Sequence, residues 1–373
     1  MLLIRVYPFV FIDHIDNKVM LYNIMASSFH IYEIEGSIRV FNESTFSMKS
    51  SLVNSNVARE IKQCNFGLYD EVSSLQNFYL ADIASEVSDR LDELCNKSVY
   101  DAKDLIKRLI ISLSPKLDVF SGMDIASHRA SVHIADSEVL HSFTRFASLA
   151  CIFFYIDKNV VATFSKYYAE LLLNYYVEVA APLLDYPYIA NDMSELGINN
   201  IVLLVHEVTK DSLDIMSRLI TDKSIMSFWV YLSSMEDYVK LHEVGVLLNK
   251  KVQIKCNPFG NFANLKTLLS YNIDDILLTN ISKNNSIRND WINLNFWGDL
   301  FVNAFGDVFI ADSKMIGNIY EWDDIQFDKL LSEESLWRQV RRNKDKCKTC
   351  LFRNICPPIS LIEKKFNSTF CNL

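Results

Sequence analysis

Glycine is scarce in this 373-residue chain: nine occur, where ordinary usage of about 7% would give about 26. The sequence contains neither GxGxxG nor the GxxxxGK pattern of P-loops, so the common glycine-rich phosphate loops are excluded. Positive charge is also in deficit, because 37 Lys and Arg stand against 46 Asp and Glu, a net charge of −9. A net acidic chain is a poor general binder of nucleic acid or anionic membranes, so neither partner is expected.

Long hydrophobic runs are missing as well. The longest, residues 149–156, is far shorter than the ~20 residues that a membrane-spanning helix needs. Arg5, Asp13 and Asp16 interrupt the first residues, which therefore lack the extended apolar stretch of an export signal. We expect a cytoplasmic protein, in which the eight cysteines stay reduced unless a metal holds them.

What the sequence does contain is a group of cysteines near its C-terminal end, in the pattern CxxCx5Cx14C. They are Cys347, Cys350, Cys356 and Cys371. Four thiolates suit a tetrahedral Zn²⁺ or an iron–sulfur cluster, and the basic residues of the segment Arg338–Arg353 would favour the thiolate form. The alternatives are a solvated basic face or a pair of disulfides, which are rare in the cytosol. The other four cysteines stand singly in apolar surroundings and are interpreted as small core residues.

The predicted elements divide the chain into three parts. In residues 1–115, β-rich runs at Arg5–Ile12, Val19–Asn23 and Phe29–Ile34, followed by helical spacing at Val57–Cys64 and Leu80–Asn96, predict a small α+β domain with a three-stranded sheet.

Residues 116–285 predict six strand–helix units in series. Strand-like runs begin about every 25 residues, near Ala150, Tyr175, Asn200, Met226, Val252 and Asp275. A capping box at Ser233 and Glu236 predicts a helix through Leu248, and a possible earlier strand lies at Ser131–Ile134. Such a series indicates a parallel sheet, either a partial or full barrel or a doubly wound sheet.

Residues 286–373 have a different pattern. Gly306-Asp307 between two apolar runs predicts a hairpin, and a helix is expected from about Asp323 to Trp337, before the cysteines. Together these features resemble the radical SAM peptide maturases with a SPASM domain, and most closely their pseudo-radical-SAM relatives in ribosomal peptide natural-product systems. The matching stretch covers about 80 residues and runs through NLNFWG, GDVF, IGNI, WRQVR and CPP to Cys371.

The resemblance implies an α/β fold: a radical-SAM-like partial (β/α)6 barrel, preceded by the small α+β domain and followed by a SPASM-like metal-binding domain. It also exposes departures. Radical SAM enzymes carry CxxxCxxC after the first strand, and no such triplet exists here. Their second strand ends in Gly-Gly-Glu-Pro, whereas the counterpart here is Val179-Ala180-Ala181-Pro182. Ala311 and Ser360 stand where one auxiliary cluster has cysteine ligands.

The second auxiliary cluster of that family matches in full, on the four cysteines named above. The resemblance therefore implies one [4Fe–4S] cluster, with Zn²⁺ as the alternative, no S-adenosylmethionine and no catalytic residues. Five polar residues near predicted strand ends lie where barrel active sites form, although without a cofactor motif the favoured interpretation of each is a loop cap or a satisfied polar residue. They are His206, Glu207, Lys255, Asn257 and Asn280.

The sequence thus predicts a non-catalytic radical SAM homologue that binds a precursor (leader) peptide, an intact radical SAM maturase, or both. Leader recognition is expected in residues 1–115, with Phe29–Ile34 as the edge strand that accepts a peptide. The basic run Arg338–Lys348 is expected to meet an acidic partner surface. Two alternatives stay open: an iron–sulfur electron-transfer partner of the maturase, and a barrel enzyme with a different, non-SAM chemistry.

Overall fold

The computed structural model describes residues 1–42, 45–71, 102–120, 145–168, 171, 174–260, 263, 266, 269–278, 281–311 and 314–371. Within them the chain is mixed α/β, with two small antiparallel sheets and one large sheet that is mostly parallel. Each helix of this described part is too short or too polar to cross a bilayer.

The first small sheet is absent from the sequence-based prediction. Its strands run in the order β5-β6-β1-β7. They are β1 (Leu2–Val6), β5 (Arg39–Asn42), β6 (Thr45–Met48) and β7 (Gly67–Glu71). Helix α1 (Leu52–Gln63) begins after Ser51, whose side chain accepts a hydrogen bond from the Asn54 amide. It buries Ala58 and Ile61 against this sheet.

The second small sheet contains the predicted runs Val19–Asn23 and Phe29–Ile34, whereas the predicted run Arg5–Ile12 is divided by a turn between the end of β1 and the start of β2. Its strands, in the order β2-β3-β4, are β2 (Val10–Ile15), β3 (Lys18–Asn23) and β4 (Ser28–Glu33). Asp16, at φ 53, closes the two-residue turn between the first pair. Both faces are buried, because Val19 and Leu21 pack toward the first sheet while Met20 and Tyr22 pack toward the C-terminal cysteines. Among the described residues, β4 pairs with a strand on one side only.

The large sheet has nine strands among the described residues, in the order β13-β12-β11-β10-β9-β8-β14-β15-β16. They are β8 (Arg108–Ser112), β9 (Cys151–Tyr155), β10 (Tyr176–Pro182), β11 (Ile201–Val205), β12 (Ile225–Leu232), β13 (Val252–Cys256), β14 (Asp299–Val302), β15 (Asp307–Ala311) and β16 (Lys314–Asn318). Strands β8 to β13 and β14 are parallel, and β15 and β16 add an antiparallel edge. Buried parallel strands are expected to be continuously apolar, as Ile201–Val205 is.

This sheet is strongly curved. Arg108 on β8 and Lys255 on β13 are five strands apart, which would separate them by about 24 Å in a flat sheet. Instead, both line one cavity of about 420 Å³, which we call the inner cavity. The sheet therefore wraps around a lined interior.

Helices link the parallel strands and cover their outer face. They are α2 (Val161–Tyr168), α3 (Tyr186–Glu195), α4 (Lys210–Leu219) and α5 (Met235–Glu243). The cap of α5 is Ser234 with Asp237, one residue later than predicted, because the Asp237 carboxylate accepts from the amides of both Ser233 and Ser234. The helix ends well before Leu248, since Gly245 takes a left-handed conformation at φ 73.

Two predicted elements were wrong. The strand near Asp275 is helix α6 (Ile273–Leu278), because Asn272 and Asp275 exchange side-chain and backbone hydrogen bonds that start a helix. The helix from Asp323 to Trp337 is instead a series of short 3-10 turns at Trp322–Asp324, Phe327–Leu331 and Leu336–Arg338.

Three more α-helices are bounded within the described residues, and they are α7 (Lys283–Asn289), α8 (Asp345–Lys348) and α9 (Leu361–Lys365). The divisions at residues 115 and 285 stay predictions, although the large sheet runs across both points through β8 and β14. Cys64, interpreted as a core residue, is exposed, whereas Cys256 is buried. Some predicted features lie outside the described residues: Leu80–Asn96, Ser131–Ile134, Asn280 and Cys95.

Candidate metal centre

The segment Cys347–Cys371, here called the cysteine tail, is built from tight turns. The Cys347 amide donates to the Lys344 carbonyl at 2.8 Å, and the Cys350 amide donates to the Cys347 carbonyl at 3.1 Å. The Phe352 amide points at the Cys350 sulfur, as expected for a CxxC turn, and its hydrogen bond favours the thiolate. The backbone thus holds the first cysteine pair in a shape suited to ligation.

The four thiols lie in one neighbourhood. Burial raises the pKa of the Cys350 thiol, and the nearby Cys347 and Cys371 raise it further. Burial likewise raises the pKa of Cys356 to about 12, with added contributions from Cys371 and Cys347. Cys371 reaches this place because the Tyr271 amide bonds the Phe370 carbonyl at 2.9 Å. The four thiols therefore share one neighbourhood, in which no three of their sulfur atoms lie within 4.8 Å of one another, and their role as metal ligands stays a prediction.

A buried ion pair braces this neighbourhood. The Arg341 guanidinium donates to both carboxylate oxygens of Glu363, at 3.1 and 3.3 Å, with side-chain exposures of 3% and 1%. Glu363 also accepts from the Phe370 amide at 3.2 Å, one residue before Cys371. Burial opposes the charged form of Arg341, yet the pKa of the guanidinium is raised because Cys356, Glu363 and Cys347 surround it.

These charges fit a thiolate-bound metal. Four thiolates on Zn²⁺, or on a [4Fe–4S]²⁺ cluster, leave a net negative charge. Burial raises the thiol pKa of both Cys347 and Cys356, and the Arg341 guanidinium opposes that rise. Sulfurs 2.3 Å from one zinc lie about 3.8 Å apart. Among the described residues, only one group of three ligand atoms lies mutually within 4.8 Å, and it contains none of these thiols.

The cysteine tail packs against the three-stranded N-terminal sheet. Phe11, Met20 and Tyr22 form one buried cluster with apolar residues of the tail, which are Leu351, Ile355 and Cys356. The Phe29 and Phe352 rings meet edge to face at 4.9 Å.

Polar contacts join the same two segments. The buried Asp13 carboxylate accepts from the Asn354 side chain at 3.2 Å and lies 3.6 Å from Arg353. Burial raises the pKa of Asp13 to about 7, against the opposing charge of Arg353. The two ends of the chain therefore meet at the cysteines.

The basic run is less available than the sequence indicates. Arg341 is buried, so it does not belong to a surface patch. Arg342 pairs with Asp290 at 3.3 Å and lies 4.1 Å from the Trp291 ring centre. Lys348 pairs with Asp345 at 2.9 Å. Much of the predicted positive surface thus serves contacts within the chain.

The carboxyl ends of β9, β10 and β11 surround a second cavity of about 420 Å³, here called the rim cavity. Its lining includes Asp157, Lys158, Pro182, His206 and Glu207. Residues 156–160, directly after β9, contain no cysteine, and Cys151 lies at the opposite end of that strand. Two of the predicted rim residues therefore line one cavity, which contains no thiol.

The inner cavity contains the third predicted rim residue. Lys255 lies 4.6 Å from the centre of the Trp229 ring, and burial lowers the pKa of its ammonium group. Arg108 donates to Asp299 at 3.0 Å in the same cavity. Asn257 instead donates to the Ser233 hydroxyl at 3.0 Å, which is a loop cap.

Sequence reasoning missed the Arg341–Glu363 pair. The sequence does carry a local signal for Glu363, because Ser360 and Glu363 have the spacing of a capping box. The structure forms that capping box at the start of α9. The Arg108–Asp299 pair spans 191 positions and has no comparable local signal.

No family model matches the chain, and no curated protein matches it. Solved structures give weak likenesses. The structure of Streptococcus suis SuiB bound to precursor peptide SuiA is 12% identical, with 99% of this chain and 100% of that chain covered and a TM-score of 0.36. Native anSMEcpe with bound AdoMet is 12% identical, with 67% of this chain and 88% of that chain covered and a TM-score of 0.40. Scores this low do not establish a shared fold.

Proposed function

We propose that this chain is a non-catalytic relative of the radical SAM peptide maturases, with a radical-SAM-like partial barrel and a SPASM-like cysteine tail. It binds a precursor peptide and an intact maturase during ribosomal peptide modification. The observation that carries the proposal is the distribution of thiols. Four converge at the cysteine tail, whereas residues 113–150, which follow the first parallel strand β8, include no cysteine.

The cysteine tail is proposed to hold one [4Fe–4S] cluster through Cys347, Cys350, Cys356 and Cys371, with Zn²⁺ as the alternative. The spacing of the thiols supports iron over zinc, since no three of them are as close as a single zinc requires. A cluster with four cysteine ligands has no open iron position, so its role here is to cross-link the tail. Arg341 offsets its negative charge, and the first turn directs the Phe352 amide at one sulfur.

Strand β4 is the proposed peptide-docking edge. It pairs with β3 along its whole length, and no described strand pairs with its other side. An extended peptide can add to such an edge through backbone hydrogen bonds, with side chains giving specificity. Ile31, which is 42% exposed on β4, supplies apolar surface beside that edge.

The experiment combines the full chain with the precursor peptide and the maturase encoded beside it. We expect co-elution in size-exclusion chromatography at low salt and slower peptide modification when the chain is omitted. Ile31→Lys should weaken peptide binding, whereas Met25→Lys, at an 81% exposed loop position, should not. Separate elution together with unchanged modification would end the binding-protein proposal.

The two alternatives have distinct signatures. An electron-transfer role requires a redox-active centre, so zinc at the tail would exclude it. A non-SAM enzyme is favoured by the inner cavity, where Lys255 and Trp229 face the Arg108–Asp299 pair. A small molecule that co-purifies with the wild type, and is lost in Lys255→Met, would support that enzyme.

A further inference from the structure

A second group of metal-ligating side chains lies far from the cysteine tail in sequence. His30, Glu60 and Cys64 place one ligand atom each so that all three atoms lie within 4.8 Å of one another. Among the described residues, this is the one group of at least three such atoms found at that distance. No sequence motif marks these positions, because His30 lies on β4 whereas Glu60 and Cys64 lie at the end of α1.

The backbone fixes two of these ligands on one helix end. Glu60 lies in the last turn of α1, and Cys64, four positions later, is the C-cap of that helix, so the two side chains are neighbours at its end. The Cys64 amide donates to the Glu60 carbonyl at 2.8 Å, and the Phe66 amide donates to Ile61 at 3.0 Å. Asn65, at φ 58, closes the helix directly after the cysteine. The thiol therefore projects from an ordered helix terminus.

Aromatic packing orients the third ligand. The His30 ring lies 6.0 Å from the Tyr32 ring in a stacked arrangement and 5.1 Å from the Phe66 ring in an edge arrangement. Both aromatic residues are buried. Although His30 is exposed on the edge strand β4, its imidazole is thus confined between two fixed rings and directed at the end of α1.

An independent observation points to a ligand at this place. Tyr32 is 5% exposed, and its hydroxyl finds no hydrogen-bond partner among the described residues. The Tyr32 ring stacks with the His30 ring, so this side chain lies beside the group. A buried hydroxyl without a partner is costly, and a metal-bound water would supply one.

We propose that His30, Glu60 and Cys64 form a Zn²⁺ site, with a water at the fourth position that hydrogen-bonds the Tyr32 hydroxyl. Imidazole, carboxylate and thiolate are the ligands that zinc takes in proteins, and three protein ligands with one water is the open type of site. Tetrahedral zinc needs ligand atoms about 3.5 Å apart, so small side-chain rotations suffice.

The site has a structural consequence, because it joins the edge strand β4 to helix α1. Zinc would restrain β4 in the position where its outer edge is open. The site stands on its own geometry and does not depend on the proposed function or on the cysteine tail.

The test is a Zn²⁺ titration of the full chain in competition with a chromogenic chelator, with the tail centre already loaded. We expect one tight equivalent in addition to the tail metal. His30→Gln, Glu60→Gln and Cys64→Ser should each lower the affinity for this equivalent at least tenfold. Tyr32→Phe should lower it by a smaller factor. His242→Gln, an exposed histidine on α5, is the matched control and should bind as the wild type does.

Cobalt gives a second readout. Co²⁺ in the wild type should show a thiolate-to-metal charge-transfer band that Cys64→Ser removes while Glu60→Gln only weakens it. Circular dichroism checks the fold of each variant, and Glu60→Gln, on an exposed helix face, keeps the test valid if another variant unfolds. Equal stoichiometry and affinity in wild type and Glu60→Gln, or the absence of an additional equivalent, would overturn the proposal.

Discussion

Replacing Glu363 by Gln tests the idea that a buried ion pair braces the cysteine tail. The carboxylate accepts two hydrogen bonds from Arg341 and further ones from the amides of Ser360 and Phe370. Glutamine keeps the shape and one acceptor oxygen but removes the charge, so the buried guanidinium loses its partner. Breaking a buried pair in this way typically costs about 3–5 kcal/mol.

Because glutamine keeps one acceptor oxygen, the expected loss of stability lies at the lower end of that range, at about 3 kcal/mol. One backbone amide left without an acceptor adds about 1 kcal/mol. The loss should be smaller when metal is bound, because the negative thiolate centre then compensates Arg341. It should be largest after metal is removed. The variant is therefore expected to keep its metal although its apoprotein is weakened.

Native-state hydrogen exchange measures this locally, as the free energy of opening for residues 336–371 with and without metal. Ser360→Ala removes the helix cap and one hydroxyl hydrogen bond to Glu363 but leaves the charge of the ion pair, and it should cost about 1 kcal/mol. Glu236→Gln makes the same chemical change in the exposed pair with Lys240 and should leave exchange unchanged. The ion pair does not brace the tail if Glu363→Gln lowers the free energy of opening no more than Ser360→Ala does. The same conclusion follows if Glu363→Gln lowers it equally with and without metal.

Three further predictions concern the metal, the missing chemistry and pH. Cys356→Ala should lose one metal centre per chain and weaken exchange protection over the last ~30 residues, whereas Cys151→Ala should keep both; equal metal content would refute this. Incubation with S-adenosylmethionine and reductant should give no 5′-deoxyadenosine above background, which chromatography can check. Asp13 has a folded-state pKa raised to about 7 by burial, so its stabilising contribution is present below about pH 4 and is lost as pH rises through about 7. Asp13→Asn should therefore reduce the fall in the thermal midpoint between about pH 4 and 7. Arg353 keeps its contact with Asp290 at 3.5 Å in this variant. A pH profile equal to that of the wild type would contradict the raised pKa of Asp13.

Local signals account for the parts of the fold that the sequence predicts. Five parallel strands were found because each is a short apolar run at regular spacing, as in Ile201–Val205. The CxxC turn and Gly306-Asp307 hairpin are equally local, and both form. The segment near Asp275 failed for the same reason, since its apolar residues fit a short strand or helix until the Asn272 cap is known.

Contacts between distant segments were not predictable. The β8–β14 pairing closes over 191 positions, as its Arg108–Asp299 bond shows, and nothing near either strand encodes the partner. Arg341 carried a signal of the wrong kind, because a run of basic residues normally indicates a solvated face. Only the tertiary fold shows that this one guanidinium is buried beside thiols.

Under the proposed function, the position of the cysteine tail accounts for four retained thiol ligands in a chain that lacks CxxxCxxC. Asp13 and Asn354 are 341 positions apart, and their hydrogen bond lies in the interface where the first strands cover the cysteine loop. A metal that binds only the folded tail stabilises every contact that depends on that tail, including the burial of Met20 and Tyr22. Loss of one ligand would then weaken the N-terminal sheet as well as the C-terminal segment. Because β4 belongs to that sheet, retention of the four cysteines would preserve the proposed peptide-docking edge, whereas ligands used only for catalysis could be lost without structural consequence.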